Sequence, residues 1–158
     1  MDIRDRIGKR GENIFAQIIT RWCGGEDWFE EERLGGKTEV VDFLVNLLDP
    51  ADGRPQFYVQ IKSTSKGYSG AGTSERLKVN VSLEDILEMK KFSIPAYIVG
   101  IDIHAEKAFI VGVGPLTNAM NGLPTSHPLD CASFETLWDE VQAIYSNQRK
   151  KDSTVFGT

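Results

Sequence analysis

Residues 57–62 alternate strictly, with Phe57, Val59 and Ile61 interleaved with Tyr58, Gln60 and Lys62. A period of two is a strand signature: the aliphatic set turns to a core, and the amide and the ammonium turn to the opposite face. A lysine this close to the interior of a sheet needs a reason. Residues two apart on one strand face lie about 7 Å from each other, so the tips of Gln60 and Lys62 can meet on one small ligand or ion. Upstream, Val40-Val41-Asp42-Phe43-Leu44-Val45 is a second strand-like run broken by a single carboxylate. An acid in one strand and a Gln-x-Lys pair in the next suit the holding of a divalent cation against a phosphate.

The rest of the chain reads as scaffold for these two strands. Residues 3–22 place Ile3, Ile7, Ile14, Phe15, Ile18, Ile19 and Trp22 at helical spacing, with Gly11 on the same stripe. Glu12 falls at the border of that buried face, where it can point along the sheet edge. Gly8 and Gly11 each cost a helix roughly 1 kcal/mol against Ala, a cost explained by a close approach of backbone or ligand. The helix is expected to end at Cys23-Gly24-Gly25. Residues 28–34 predict a first strand whose Glu30, Glu31 and Glu32 fit an exposed edge. After a turn at residues 35–38, a second strand over 39–48 pairs through the turn-rich 49–55 with the third, giving an antiparallel meander.

Residues 63–74 have the composition of a flexible loop, whose Lys66 and hydroxyls can touch a phosphate backbone; the run lacks the Gly-Lys-Ser/Thr of a phosphate-binding loop. Ser82 caps a helix over 83–91 with an acid three positions on, and residues 96–102 and 107–113 are apolar, β-branched strands. A helix between the meander and a further strand is a crossover, so the expected architecture is α/β with a mixed sheet and helices on its faces. Ser133 is the expected cap of a last helix over 134–147, with Leu137, Val141, Ile144 and Tyr145 buried. One domain over 1–148 and a flexible tail over 149–158 complete the plan.

Composition narrows the function. The chain has 158 residues, 41% hydrophobic and 26% charged, ordinary for one globular domain. No run of 18 apolar residues and no apolar leader are present, which predicts a cytoplasmic protein with no membrane partner. Cys23 and Cys131 stand far apart without a metal-binding spacing, and are expected as reduced structural thiols. A net charge of −5 excludes a broad basic surface for nucleic acid but leaves room for a narrow basic rim around an acidic centre.

Helix with Glu12, strand with Asp42, strand with Gln60-x-Lys62, then helix and strand: this order resembles the PD-(D/E)XK nuclease superfamily, the restriction-endonuclease-like fold. Arg10-Gly11-Glu12, Asp42, Val59-Gln60-Ile61-Lys62-Ser63 and Pro95-Ala96-Tyr97-Ile98-Val99 are similar to a bacterial domain family of unknown function assigned to it, over roughly residues 4–115. The resemblance implies Asp42, Gln60 and Glu12 as ligands of Mg²⁺ or Mn²⁺, and Lys62 as the catalytic lysine that supports the attacking water. Val41 stands where the motif's name has Pro, and Gln60 where it has an acid; Gln-x-Lys forms occur in Mrr-like restriction nucleases. With Gln60 neutral, Glu12 must bring the second negative charge. The implied function is a metal-dependent DNA endonuclease in defence or repair, with a homodimer as one arrangement for cutting two strands. The alternative is a non-catalytic module of the same fold that binds a protein or nucleic-acid partner, its Asp42 and Lys62 forming a buried ion pair.

Overall fold

The computed structural model describes residues 2–36, 40–147 and 154–158. Helix α1 (Ile3–Ile19) starts on Asp2, whose side chain accepts the Arg4 N–H at 3.0 Å, and buries Gly11, Ile14, Phe15, Ile18 and Ile19. It stops at Thr20, whose hydroxyl donates to the Ala16 carbonyl at 2.6 Å. Trp22 is therefore off the stripe and 68% exposed. Gly24 and Gly25, at φ 63° and 76°, then make a tight turn that only glycine enters freely, closed by the Cys23–Glu26 bridge.

Strands β1 (Phe29–Arg33), β2 (Phe43–Leu47) and β3 (Gln56–Thr64) form the expected antiparallel meander. The chain then crosses over through β4 (Tyr68–Ser69), β5 (Arg76–Val81) and α2 (Leu83–Lys90) to β6 (Ala96–Asp102), which runs parallel to β3. β7 (Lys107–Gly112) turns back along β6, so the main sheet is mixed, in the order β1-β2-β3-β6-β7. β8 (Met120–Pro124) joins β4 and β5 in a second, three-stranded sheet, and α3 (Cys131–Tyr145) follows it.

The two faces of the main sheet carry separate cores. Phe43, Val45, Phe57, Val59, Tyr97 and Val99 face α1 and α3, where Phe15, Phe134 and Leu137 meet them. Val41, Ile98 and Val111 face the small sheet and α2, packed on Leu77, Leu123, Ile86 and Met89. Both faces of β6 are covered and all seven of its residues are buried, which is why it reads as one apolar run.

Several expectations need correction. The region after Lys62 is not one loop: β3 continues to Thr64, β4 follows, and Gly72–Ser74 form a 3-10 turn. β5 and β8 are additions to the plan. α3 starts earlier, on Asp130, with Ser133 inside the first turn completing a capping box; Tyr145 at its end is exposed. Cys23 and Cys131 are joined by a disulfide across a separation of 108 residues, their Cα atoms 5.4 Å apart, rather than standing as free thiols. Their distance in sequence carried no sign of their nearness in space. In the expected tail, residues 149–153 lie outside the described residues, whereas 154–156 are anchored. Phe156 is buried against Tyr97 and His127, its carbonyl accepts the Gly112 N–H at 2.7 Å, and Val155 N–H donates to Glu140 at 2.6 Å. Among the described residues no helix is long and apolar enough to cross a membrane.

Candidate functional site

β2 begins directly after Asp42, and the reason lies in the pairing. Phe43 is the register partner of Val59, yet the Asp42 N–H also reaches the Val59 carbonyl, at 2.8 Å. Two residues thus oppose one, as in a β-bulge, and the alternation slips: Val41 enters the core under the small sheet and Phe43 the core under α1. Asp42, between them, is left at the margin of the sheet, where its carboxylate accepts the Ile61 N–H at 2.7 Å. A side chain here replaces the strand partner that β3 lacks beyond the end of β2.

The same stretch of β3 is approached from the other side by α1. A Cβ on Gly11 would stand 1.6 Å from the Ser63 Oγ, so only glycine lets the helix backbone lie this close. The next residue, Glu12, is carried to the margin and is partly buried. Burial raises its pKa, and the negative charge of Asp42 raises it further, against the opposing pull of Arg33 and Lys9. The pKa of Asp42 is raised as well. Burial dominates there, and Asp85 adds to it, outweighing the Ile61 N–H and the Lys62 ammonium. Two carboxylates that would each hold a proton more tightly than usual therefore sit within each other's field.

Val59 and Ile61 pack toward α1, and Gln60 and Lys62 face the other way, as the alternation requires. Gln60 is only 4% exposed. Its Nε2 donates to the Val40 carbonyl at 3.0 Å and to Asp85 Oδ2 at 2.9 Å, so both acceptors fix the orientation of the amide. Its Oε1 is buried and, among the described residues, has no hydrogen-bond donor. Lys62 Nζ lies 3.8 Å from Asp85 Oδ2, so its near ion pair is with Asp85 and not with Asp42.

Asp85 is the residue that sequence reasoning missed. It occupies the third position of α2, where Ser82 Oγ accepts its N–H at 3.1 Å, and an acid at that position already has an explanation as part of a cap. Its carboxylate instead crosses to β3 and holds both Gln60 and Lys62. The structure thus brings Asp42, Gln60, Lys62 and Asp85 together, with Glu12 acting on Asp42 from the α1 side.

The donor set suits a hard cation: a carboxylate of raised pKa, a second nearby, and a buried amide oxygen with nothing donating to it. Among the described residues no group of three or more His, Cys, Asp or Glu could hold a metal ion. A cation here would therefore draw on Gln60 and water beside the carboxylates. Adjoining Lys62 is a groove of about 360 Å³ lined by Arg4, Lys62, Lys66 and Lys78, with Ser63, Thr64, Ser65 and Asn80 between them and, among the described residues, no acid. Gly8 borders it, and nothing stands within 4 Å of the place its Cβ would take, so the missing side chain leaves the groove open. This is a narrow basic rim beside an acidic margin in a chain of net charge −5. No protein-family model, curated protein or solved structure matches the chain.

Proposed function

We propose that the chain is a Mg²⁺- or Mn²⁺-dependent DNA endonuclease with a restriction-endonuclease-like core. The observation that carries this reading is the Gln60 amide, whose nitrogen is used up by Val40 and Asp85 and whose buried oxygen has no donor among the described residues, next to Asp85 and on the strand whose Ile61 N–H is held by Asp42. An orphaned buried acceptor costs on the order of 1–3 kcal/mol, a cost that a bound cation removes. Asp42, Gln60 and Glu12 would hold the ion, which supplies charge neutralisation at the scissile phosphate and a more acidic water. Lys62 orients the attacking water and offsets the charge that develops on the phosphate. Asp85 positions Lys62 and Gln60, and Arg4, Lys66 and Lys78 seat the neighbouring phosphates of the strand. Cleavage of both strands takes two copies.

A second reading has one observation in its favour. The contacts of Asp85 with Gln60 and Lys62 form a network that stands without a cation, as in a non-catalytic module that binds its partner through the basic groove. Incubation of supercoiled, linear and single-stranded DNA with Mg²⁺, Mn²⁺ or chelator separates the two. The nuclease reading expects metal-dependent cleavage, lost on the order of 10²–10⁴-fold in Asp42→Asn and in Lys62→Ala. Mn²⁺ binding should survive in Lys62→Ala and fail in Asp42→Asn. Wild-type protein that neither binds Mn²⁺ nor cuts any of these substrates, while still retaining DNA or a protein partner, leaves the module reading in its place.

A further inference from the structure

All three tryptophans of the chain, Trp22, Trp28 and Trp138, border one cavity of about 440 Å³. The remaining polar wall is acidic, made by Glu26, Asp27 and Asp49, and among the described residues no lysine or arginine lines it. From this convergence we propose that the cavity binds an alkylammonium group, with methylated ammonium as the best fit. Its volume lies in the usual range for small-ligand sites.

The indoles are held in place before any ligand arrives. Trp28 Nε1 donates to the Cys23 carbonyl at 3.2 Å and Trp138 Nε1 to the Leu48 carbonyl at 3.1 Å. With their N–H groups engaged, what these two rings offer a ligand is π surface, which attracts a cation through its negative face. Trp22 stands 68% exposed on the wall formed by the turn at Gly24 and Gly25, where its ring is open to a ligand. That wall is pinned by the Cys23–Glu26 bridge and by the disulfide from Cys23 to the first residue of α3. Aromatic faces recognise a soft cation, and the carboxylates reject anions and favour positive charge over a neutral group of equal shape. A bare inorganic cation gains little from indole faces, which is why the class is organic. The site is separate from the carboxylates at Asp42: Leu48 lies six residues along the chain, roughly 20 Å of extended strand. The proposal holds whether or not the chain cleaves DNA.

Because the cavity uses every tryptophan of the chain, intrinsic fluorescence reads its occupancy directly, and calorimetry covers a silent emission. The probes are choline, its neutral isostere 3,3-dimethylbutan-1-ol, and a short peptide carrying trimethyl-lysine or unmodified lysine. Choline is expected to bind saturably and the isostere at least about tenfold more weakly, in line with the value of a cation on aromatic faces. Trp22→Ala and Asp49→Asn, both at exposed positions, should each weaken choline about fivefold or more while thermal melting is unchanged. Asp49 sits at φ 48°, a conformation that asparagine accepts. Tighter binding of the trimethyl-lysine peptide assigns the site to a protein-borne ammonium, and tighter binding of choline to a free one. Equal affinity for choline and its isostere, no saturable signal with any cation, or unaltered affinity in both variants overturns the proposal.

Discussion

Asp42 and Asp102 are two carboxylates pressed against β3, and they are treated in opposite ways. Asp102 ends β6 opposite Thr64, is 5% exposed, and receives the Tyr68 hydroxyl at 2.8 Å and the N–H groups of His104 and Ala105 at 3.0 and 3.2 Å. Burial on its own would raise its pKa, but these donors outweigh it and hold the carboxyl below the usual range. In return the Tyr68 hydroxyl is pushed up, by burial first and then by its bond to Asp102. Asp42 has the Ile61 N–H and the distant pull of Lys62, too little to overcome burial and the nearby Asp85. Burial alone does not distinguish a structural carboxylate from a reactive one; the supply of donors does. At Asp102 the fold supplies the carboxylate with a hydroxyl and two amide donors, and at Asp42, among the described residues, with one amide.

The contrast is broken most readily by truncation. Asp102→Ala leaves a hydroxyl and two amides without their acceptor, so a loss of about 2–4 kcal/mol is expected in urea denaturation. Asp42→Ala orphans one amide while relieving repulsion with Glu12 and Asp85, and its cost should stay under about 1 kcal/mol. If Asp42→Ala proves as costly as Asp102→Ala, Asp42 is a structural group and its position at the sheet margin has no further meaning.

Gln60→Glu sharpens the comparison at the neighbouring position. The wild-type amide donates to the Val40 carbonyl and to Asp85, so a carboxylate there faces two acceptors with nothing to give. A loss of about 2 kcal/mol without divalent ions is expected, and millimolar Mg²⁺ should restore part of it, because a ligand that binds only the folded state stabilises it by mass action. The wild type should gain less from the same Mg²⁺. Destabilisation that Mg²⁺ leaves untouched would speak for the binding module.

How much of this was legible depended on whether a residue had a second explanation. The alternation of residues 57–62 places Gln60 and Lys62 on the face opposite Val59 and Ile61, because the period of two fixes which side chains of a strand share a face. Gly11 was legible too, since a glycine in a helix interior asks for a close approach, and Ser63 supplies it. Asp85 was hidden by its role as a helix-cap acid, and the bulge at Asp42 has no signature in side chains. The alternation of Leu77, Val79 and Val81 marks β5 as clearly as that of β3, but a Gly- and Ser-rich run precedes it and carries the look of a loop. β8 contains Gly122 and Pro124, which speak against a strand, and it exists because β5 offers it an edge. The disulfide and the burial of Phe156 are contacts between distant segments that no local pattern encodes.

The smallest expected effect is in the pH dependence of stability, where the two aspartates should differ in sign. The folded pKa of Asp42 lies above its ordinary value of 3.8, so the folded chain binds the proton more tightly than the unfolded chain. Its contribution to stability is greatest when protonated and falls as pH rises from 3.8 through the folded value; Glu12 behaves alike from 4.5 upward. For Asp102 the folded pKa lies below 3.8, so its contribution is present above that value and is lost as pH falls through the depressed one. Asp42→Asn keeps an oxygen for the Ile61 N–H and removes the ionisation. It should melt slightly above wild type at pH 7, with the difference closing as pH falls toward 4; a ΔΔG of 1 kcal/mol corresponds to about 2–4 °C in a domain of this size. Asp102→Asn should melt below wild type at pH 7, with its gap closing only in more acidic buffer. Adding Mg²⁺ at pH 7 should reverse the first order and not the second, since the cation favours the ionised Asp42 and has nothing to gain at Asp102. A difference between wild type and Asp42→Asn that stays flat from pH 7 to 4 would mean that Asp42 titrates as an ordinary carboxylate, and the contrast with Asp102 would rest on geometry alone.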